Sequence, residues 1–183
     1  EIKIFLKDSR SIEYLSKDEN WVNKYLTGCL SFLDSTFNGG EITVINSKCE
    51  DSINILRSNG FIDKINIKGS HSDGADFDFS KLHINEIFVE NSGNDCADFS
   101  YGEYTISKAS FINCGDKAVS VGEKSKLKLN DFIIKNTSIG IVSKDSSNVS
   151  ISNGTVYKNK DMCLASYNKK QEFNGGLINV NKF

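Results

Sequence analysis

Stepping along the chain by 22 residues returns apolar side chains to the same phase. One column reads Ile53, Ala75, Ala97, Val119, Ile141 and Cys163. Two residues on, the column reads Ile55, Phe77, Phe99, Val121, Ser143 and Ala165, apolar or small throughout. Two more columns keep the period: Ile45, Ile67, Val89, Phe111 and Ile133, and then Ile62, Ile84 and Ile106. A unit of this length cannot bury its apolar face alone, so stacked neighbours must supply the core.

Within each unit the apolar residues fall at i and i+2, the period of a strand with one buried face. Gly, Asn, Asp and Ser separate these short runs and mark turns. The pattern predicts an all-β fold, a right-handed parallel β-helix of about 22-residue coils. Like residues then stack on like, roughly 4.8 Å apart. The spaced Leu/Asn consensus of a leucine-rich repeat is absent, and six coils are expected to pass without insertion or deletion. Proline is absent from all 183 residues, as suits strands whose ladders need every N–H.

Residues 28–183 are assigned to the β-helix and 1–27 to a separate N-terminal part. There "EIKIFLKD" alternates as a strand. After it, Ile12, Leu15, Trp21, Val22, Tyr25 and Leu26 follow a loosely helical pattern. This stretch is either an amphipathic helical cap over the open coil end or a linker to a preceding domain. The chain opens on Glu1 with no signal peptide, so it reads as an excised domain or processed product, and its compartment is left open, cytoplasmic or cell-surface.

Net charge is -2 with pI near 5.8, which argues against nucleic acid as a partner. No apolar run of about 18 residues is present, so no membrane span is expected. The five cysteines at 29, 49, 96, 114 and 163 show no C-x-x-C spacing, and are read as buried free thiols acting as small apolar residues. The sequons at Asn136, Asn148 and Asn153 carry weight only in a eukaryotic secreted chain.

The acids concentrate in "SDGADFDFS" and, one coil later, "NDCADFSYG". With Ala and Phe of each "ADF" pointing inward, the Asp between them points outward, giving a column Asn54, Asp76, Asp98, Ser120. Asp78 lies outward beyond Asp76. A second column, at the turn into the strand, reads Asp51, Asp73, Asp95, Lys117. Paired carboxylates on a rigid sheet are what glycoside hydrolysis needs, one as acid and the other as base or nucleophile. Asp73, Asp76, Asp95 and Asp98 are the catalytic candidates. Oxygen-rich sites also suit Ca²⁺, with Asp76 and Asp98 as candidate ligands; no other cofactor is expected. The structural alternative is that turn aspartates bond their own backbone, with Lys117 offsetting Asp95. For binding, Asp76, Asp78 and Asp98 are joined by His71, a potential acid or base, and by Tyr101. Phe79 and Tyr101 are expected to stack at the strand exit, packing over the corner or cradling a sugar ring. Lys117, Glu123, Lys124, Lys144 and Asp145 read as cross-coil ion pairs.

The coil words over about 27–183 resemble right-handed parallel β-helix proteins of the pectate-lyase-like class. "SDGAD" followed by "GNDCAD" is similar to the polygalacturonase pair N-T-D-G and G-D-D-C, which implies Asp73 and Asp95 as catalytic carboxylates. Asn94 stands where that family has Asp, the next coil reads "CGDKAVS" in place of G-H-G, and no R-I-K follows. In overall wording ("EDSINI", "GNDC", "DKAVSVGEKS", "SKDSS") the chain resembles β-helix segments of bacterial surface or polysaccharide-locus proteins, some attached to spore-coat-type kinase domains. That resemblance implies an accessory module, binding or scaffolding, within a larger protein handling a surface polysaccharide such as a capsule, with an adjacent domain and a polysaccharide as partners. The alternatives are a carbohydrate-active hydrolase, lyase or epimerase using the Asp cluster, and a structural oligomerisation module.

Overall fold

The computed structural model describes residues 2–8 and 26–182, and among them every regular element is a strand. Parallel pairing stacks these strands into about six turns of a right-handed β-helix. One sheet, here sheet B, holds β2 (Gly28–Leu33), β5 (Asp51–Leu56), β7 (Asp73–Asp78), β9 (Ala97–Ser100), β11 (Lys117–Gly122), β13 (Ile139–Lys144) and β16 (Met162–Tyr167). The other, sheet A, holds β1 (Lys3–Lys7), β3 (Thr36–Asn38), β4 (Glu41–Ser47), β6 (Asn59–Ser70), β8 (Lys81–Ser92), β10 (Glu103–Cys114), β12 (Lys126–Lys135), β14 (Asn148–Ser152), β15 (Gly154–Tyr157) and β17 (Leu177–Lys182). The N-terminal strand is therefore β1, paired with β4. The helical cap or linker expected after it falls on residues 9–25, outside those described.

Sheet A is bent. In β8 the inward residues are Leu82 and Ile84, then Ile87 and Val89, while Asn85 and Glu86 both lie off the core. Two successive residues off the core break the period of two and turn the sheet through a corner. The other corners use left-handed backbone. Asn91, Asn113 and Asn136 have φ of 62°, 58° and 58° where sheet A ends. Asn tolerates this region, and its amide adds a bond along the axis. Asn136 Nδ2 donates to Asn113 Oδ1 at 2.7 Å, and Asn113 Nδ2 to Asn91 Oδ1 at 2.8 Å.

The core is the expected one. Ile53, Ala75, Ala97, Val119 and Ile141 are fully buried, as are Ile55, Phe77, Phe99 and Val121. Phe77 and Phe99 stack with centroids 4.9 Å apart, close to the coil spacing.

The strict 22-residue step misplaces four of the column residues. Val44, not Ile45, pairs with Ile67; Ile134, not Ile133, pairs with Phe111. Leu164 and Ser166, not Cys163 and Ala165, pair with Ile141 and Ser143. Corners absorb single extra residues. Glu123 and Lys124 are both left-handed where the previous coil has only Tyr101. Because strand side chains alternate, each slip of one exchanges core for solvent, and Ile133 is accordingly 49% exposed. The last coil also carries a true insertion. Residues 168–176 stand between β16 and β17 where the previous coil has only 145–147.

Four of the cysteines are not free thiols. Cys29 bonds Cys49, and Cys96 bonds Cys114, each pair with Cα atoms 5.4 Å apart; Cys163 is free and exposed. Each bridge joins the entry of a sheet B strand to the end of the same coil, 20 and 18 residues on. Other coils fill this ring-closing position differently. Ser52 and Ser70 meet there with hydroxyl oxygens 2.6 Å apart. In the next coil Gly74 faces Ser92, whose buried hydroxyl has no partner. Spacing alone hid the bridges because the partners are neighbours only after a coil has closed.

Candidate functional site

The turn aspartates enter sheet B where the chain has just rounded a corner, and the oxygens of Asp73 and Asp95 meet the backbone of the next coil. Asp73 Oδ1 accepts the Asp95 N–H at 2.9 Å and Asn94 Nδ2 at 2.7 Å. Asp95 Oδ1 accepts the Lys117 N–H at 2.9 Å, with Lys117 Nζ at 3.4 Å. Thr27 Oγ1 donates to Asp51 Oδ2. These carboxylates therefore tie one coil to the next, and Lys117 offsets Asp95 as its column position suggests. Asp51 and Asp95 are only 3% and 4% exposed. Burial pushes Asp51 up to about 7 despite the Thr27 bond, with Asp73, Glu50 and Asp78 adding repulsion. Burial likewise lifts Asp95 to about 6 against the pull of Lys117, and lifts Asp73.

The strand column is in register as expected: Asn54 pairs with Asp76, Asp76 with Asp98, and Asp98 with Ser120. It points away from the core, yet its two ends are not an open face. Asn54 is 1% exposed and Ser120 is 0% exposed. Asp76 and Asp78 lie on one side of β7, and the neighbouring Asp78 carboxylate opposes ionisation of Asp76. Burial and the surrounding carboxylates raise Asp76 well above the usual range and raise Asp78 to about 6. Asn54 Nδ2 donates to Asp76 Oδ2 at 3.2 Å, leaving the buried Asn54 Oδ1 without a partner. Asp98 Oδ1 accepts the Phe99 N–H at 2.8 Å, and Asp98 Oδ2 lies 4.0 Å from Lys144 Nζ. That ammonium, itself buried, donates to Ser120 Oγ at 2.8 Å.

A carboxyl raised by burial holds its proton more tightly folded than unfolded. Its stabilising contribution is complete below the unfolded value of about 4 and is lost as pH rises through the folded value. That window closes near 6 for Asp78 and Asp95 and near 7 for Asp51. The unfolding midpoint is thus expected to fall as pH rises from about 5 to about 8, by on the order of 5 °C. Asp51→Asn should flatten the upper part of this curve. A midpoint that stays level or climbs over the interval, measured by calorimetry, contradicts the assignment.

At the far end of the β7 and β9 strands the chain turns through left-handed Phe79 and Tyr101. Their rings stack nearly parallel, 4.5 Å apart. Coil spacing forces this contact, and it turns the two ring faces against each other. Residues 168–176 fold back onto this corner. Asp145 Oδ1 accepts the N–H groups of Lys169 and Lys170 at 2.7 and 2.8 Å. Lys170 Nζ pairs with Glu123, and Phe173 sits edge-on to Tyr101. Of the expected cross-coil ion pairs, Lys117–Asp95 and Lys144–Asp98 form, while Glu123 pairs with Lys170 of the insertion.

The fold brings Asp73, Asp76, Asp78, Asp95 and Asp98 together along the two adjacent interior strands β7 and β9 of sheet B, with Asp95 at the entry and Tyr101 at the exit of β9. His71 is not drawn in: it is exposed beside Asn46 and Lys48, and among the described residues no hydrogen bond joins its ring to an aspartate. Among the described residues no group of three or more His, Cys, Asp or Glu side chains is placed to hold a metal ion. Sequence reading missed the serine column of the second corner. Ser58 Oγ accepts the Ser35 N–H and Ser80 Oγ the Ser58 N–H, at 3.0 and 2.9 Å. The 22-residue spacing of Ser58 and Ser80, continued at Ser125 and Ser147, was the available signal.

The chain matches no protein-family model, no curated protein and no solved structure.

Proposed function

We propose that this chain is a non-catalytic β-helix module, binding or spacing within a larger bacterial protein that handles a surface polysaccharide. The observation that supports this reading most is how the turn carboxylates are used. Asp73 and Asp95 each accept a backbone N–H from the next coil, a structural task that a reacting group could not leave without loosening the stack. The only insertion in the described coils, 168–176, is short and lies back on the corner. Loops of that kind build no deep cleft. Two disulfides suit an oxidising environment such as a cell surface. The polysaccharide itself comes from the resemblance of the coil words, a fold-level analogy.

A second reading, a carbohydrate-active enzyme, draws on the neighbouring carboxyls Asp76 and Asp78, both raised by burial, Asp76 the further. Carboxyls held apart in acidity are the pattern of an acid and a base. Affinity electrophoresis through gels containing surface polysaccharides, with a reducing-end assay on the same mixtures, separates the two. The module is expected to be retarded without releasing reducing ends. Release of reducing ends that disappears in Asp76→Asn/Asp98→Asn, at an unchanged unfolding midpoint, would favour the enzyme and refute the module.

A further inference from the structure

Where sheet B hands over to sheet A, a furrow runs along the helix axis just past the Phe79 and Tyr101 corner. Two hollows of about 680 and 480 Å³ share Asn59, Lys81, Glu103 and Lys126 and so form one continuous groove. Register explains its charge. Lys81, Glu103 and Lys126 are partners on three successive coils, so the backbones of the two lysines stand roughly 10 Å apart along the axis. Glu103 is placed between them, 3.7 Å from Lys81 and 3.1 Å from Lys126. These two neighbours hold its carboxyl below the usual range, Lys126 foremost.

Lys124 and Lys128 add two more exposed ammonium groups on the same edge. The remaining charges there are already paired. Arg57 makes a two-point bond to Asp34, and Glu123 is held by Lys170. Four lysines thus surround one carboxylate, Glu103, already paired with two of them, on a chain whose net charge is -2. The lysines project strongly, with side chains of Lys81 and Lys126 80% and 70% exposed. Between them lie neutral polar groups, Asn59 and Thr105, and the exposed apolar edges of Phe79 and Tyr101.

We propose that this furrow binds an acidic polysaccharide strand, one that carries carboxylates at intervals along an extended chain. The proposal rests on the polymer-binding reading above and adds the class of polymer and its place. Spaced cations meet spaced anions, while polar side chains and ring edges meet hydroxyls and sugar carbons. A nucleic acid fits less well. Base stacking needs free aromatic faces; Phe79 and Tyr101 each spend one face on the other, and Phe173 stands edge-on to Tyr101.

The test is calorimetric titration of the folded chain with alginate, with carboxyl-reduced alginate, with polyphosphate and with single-stranded DNA. Alginate should bind, weakening with salt as exposed charges are screened. The reduced, neutral polymer should bind at least about tenfold more weakly, and Lys126→Gln/Lys128→Gln should lose about tenfold for alginate. Both lysines are exposed, so the unfolding midpoint should not move. Equal binding of the reduced polymer, or no loss in the double variant, overturns the furrow but leaves a polymer-binding module standing. Tighter binding of polyphosphate or DNA than of alginate overturns it as well, in favour of a general polyanion site. If neither form of alginate binds, the furrow falls, and of the module reading only the spacing role stands.

Discussion

Phe99→Ala is expected to lower the unfolding free energy by about 3–5 kcal/mol, a drop of roughly 10 °C in midpoint. The ring is fully buried and lies between Phe77, 4.9 Å away, and Tyr104, 5.0 Å away. Parallel coils leave little room for collapse, because each side chain is held in register by the coils above and below it. The Tyr104 hydroxyl is also fixed, donating to the Phe77 carbonyl at 2.8 Å, so that ring cannot swing into the space. Tyr101→Ala is the comparison. Tyr101 stacks on Phe79 at the surface and is 43% exposed, so its loss should cost about 1 kcal/mol. Urea unfolding of both variants checks the ordering. Similar costs at the two positions would mean that the stacked rings, and not the buried core, set stability.

Removing the central bridge with Cys96→Ser/Cys114→Ser should cost roughly 3 kcal/mol, the loop-closure value for a ring of this size. The stronger test builds a bridge. Ser52 and Ser70 stand two coils before Cys96 and Cys114, at the same ring-closing position, with hydroxyl oxygens 2.6 Å apart. The double variant Ser52→Cys/Ser70→Cys should therefore oxidise spontaneously, raise the midpoint, and still show one free thiol, that of Cys163. Three reactive thiols in the folded, oxidised variant would show that the two positions are not equivalent. Gly74 marks the coil where no such bridge fits. A Cβ there would sit 2.4 Å from the Cys96 carbonyl oxygen and 2.7 Å from the Val89 side chain, which leaves Ser92 opposite without a partner.

Much of this was legible in the order of residues. An apolar column at a constant step is a direct image of coil stacking, because a parallel β-helix places equivalent residues of successive turns in contact. The stack of Phe79 on Tyr101 and the pairing of Lys117 with Asp95 follow from the same step, and both are present. Where the step changes by one the column argument breaks. Corners tolerate an added residue, as at Glu123 and Lys124, whereas strands cannot without exchanging their faces. That is why Ile133, in phase by counting, lies outside and Ile134 inside.

The acids show the division most clearly. Their columns, and the side of the strand they occupy, were set by the alternation of Ala and Phe around each Asp. Their chemistry was not. Whether a carboxylate reacts, binds or merely joins coils depends on which N–H lies beside it and how much water remains. Those are properties of the corner and of what packs over it. The chain's own order determined a repeating apolar core and hence the β-helix. Only the closed coil decided that Asp73 and Asp95 hold the backbone of the next turn, that four cysteines meet in pairs, and that Lys81 and Lys126 line one furrow. The physical reason is range. A strand's period is written within a few residues, while neighbours across a corner are set only after the chain has travelled one full turn.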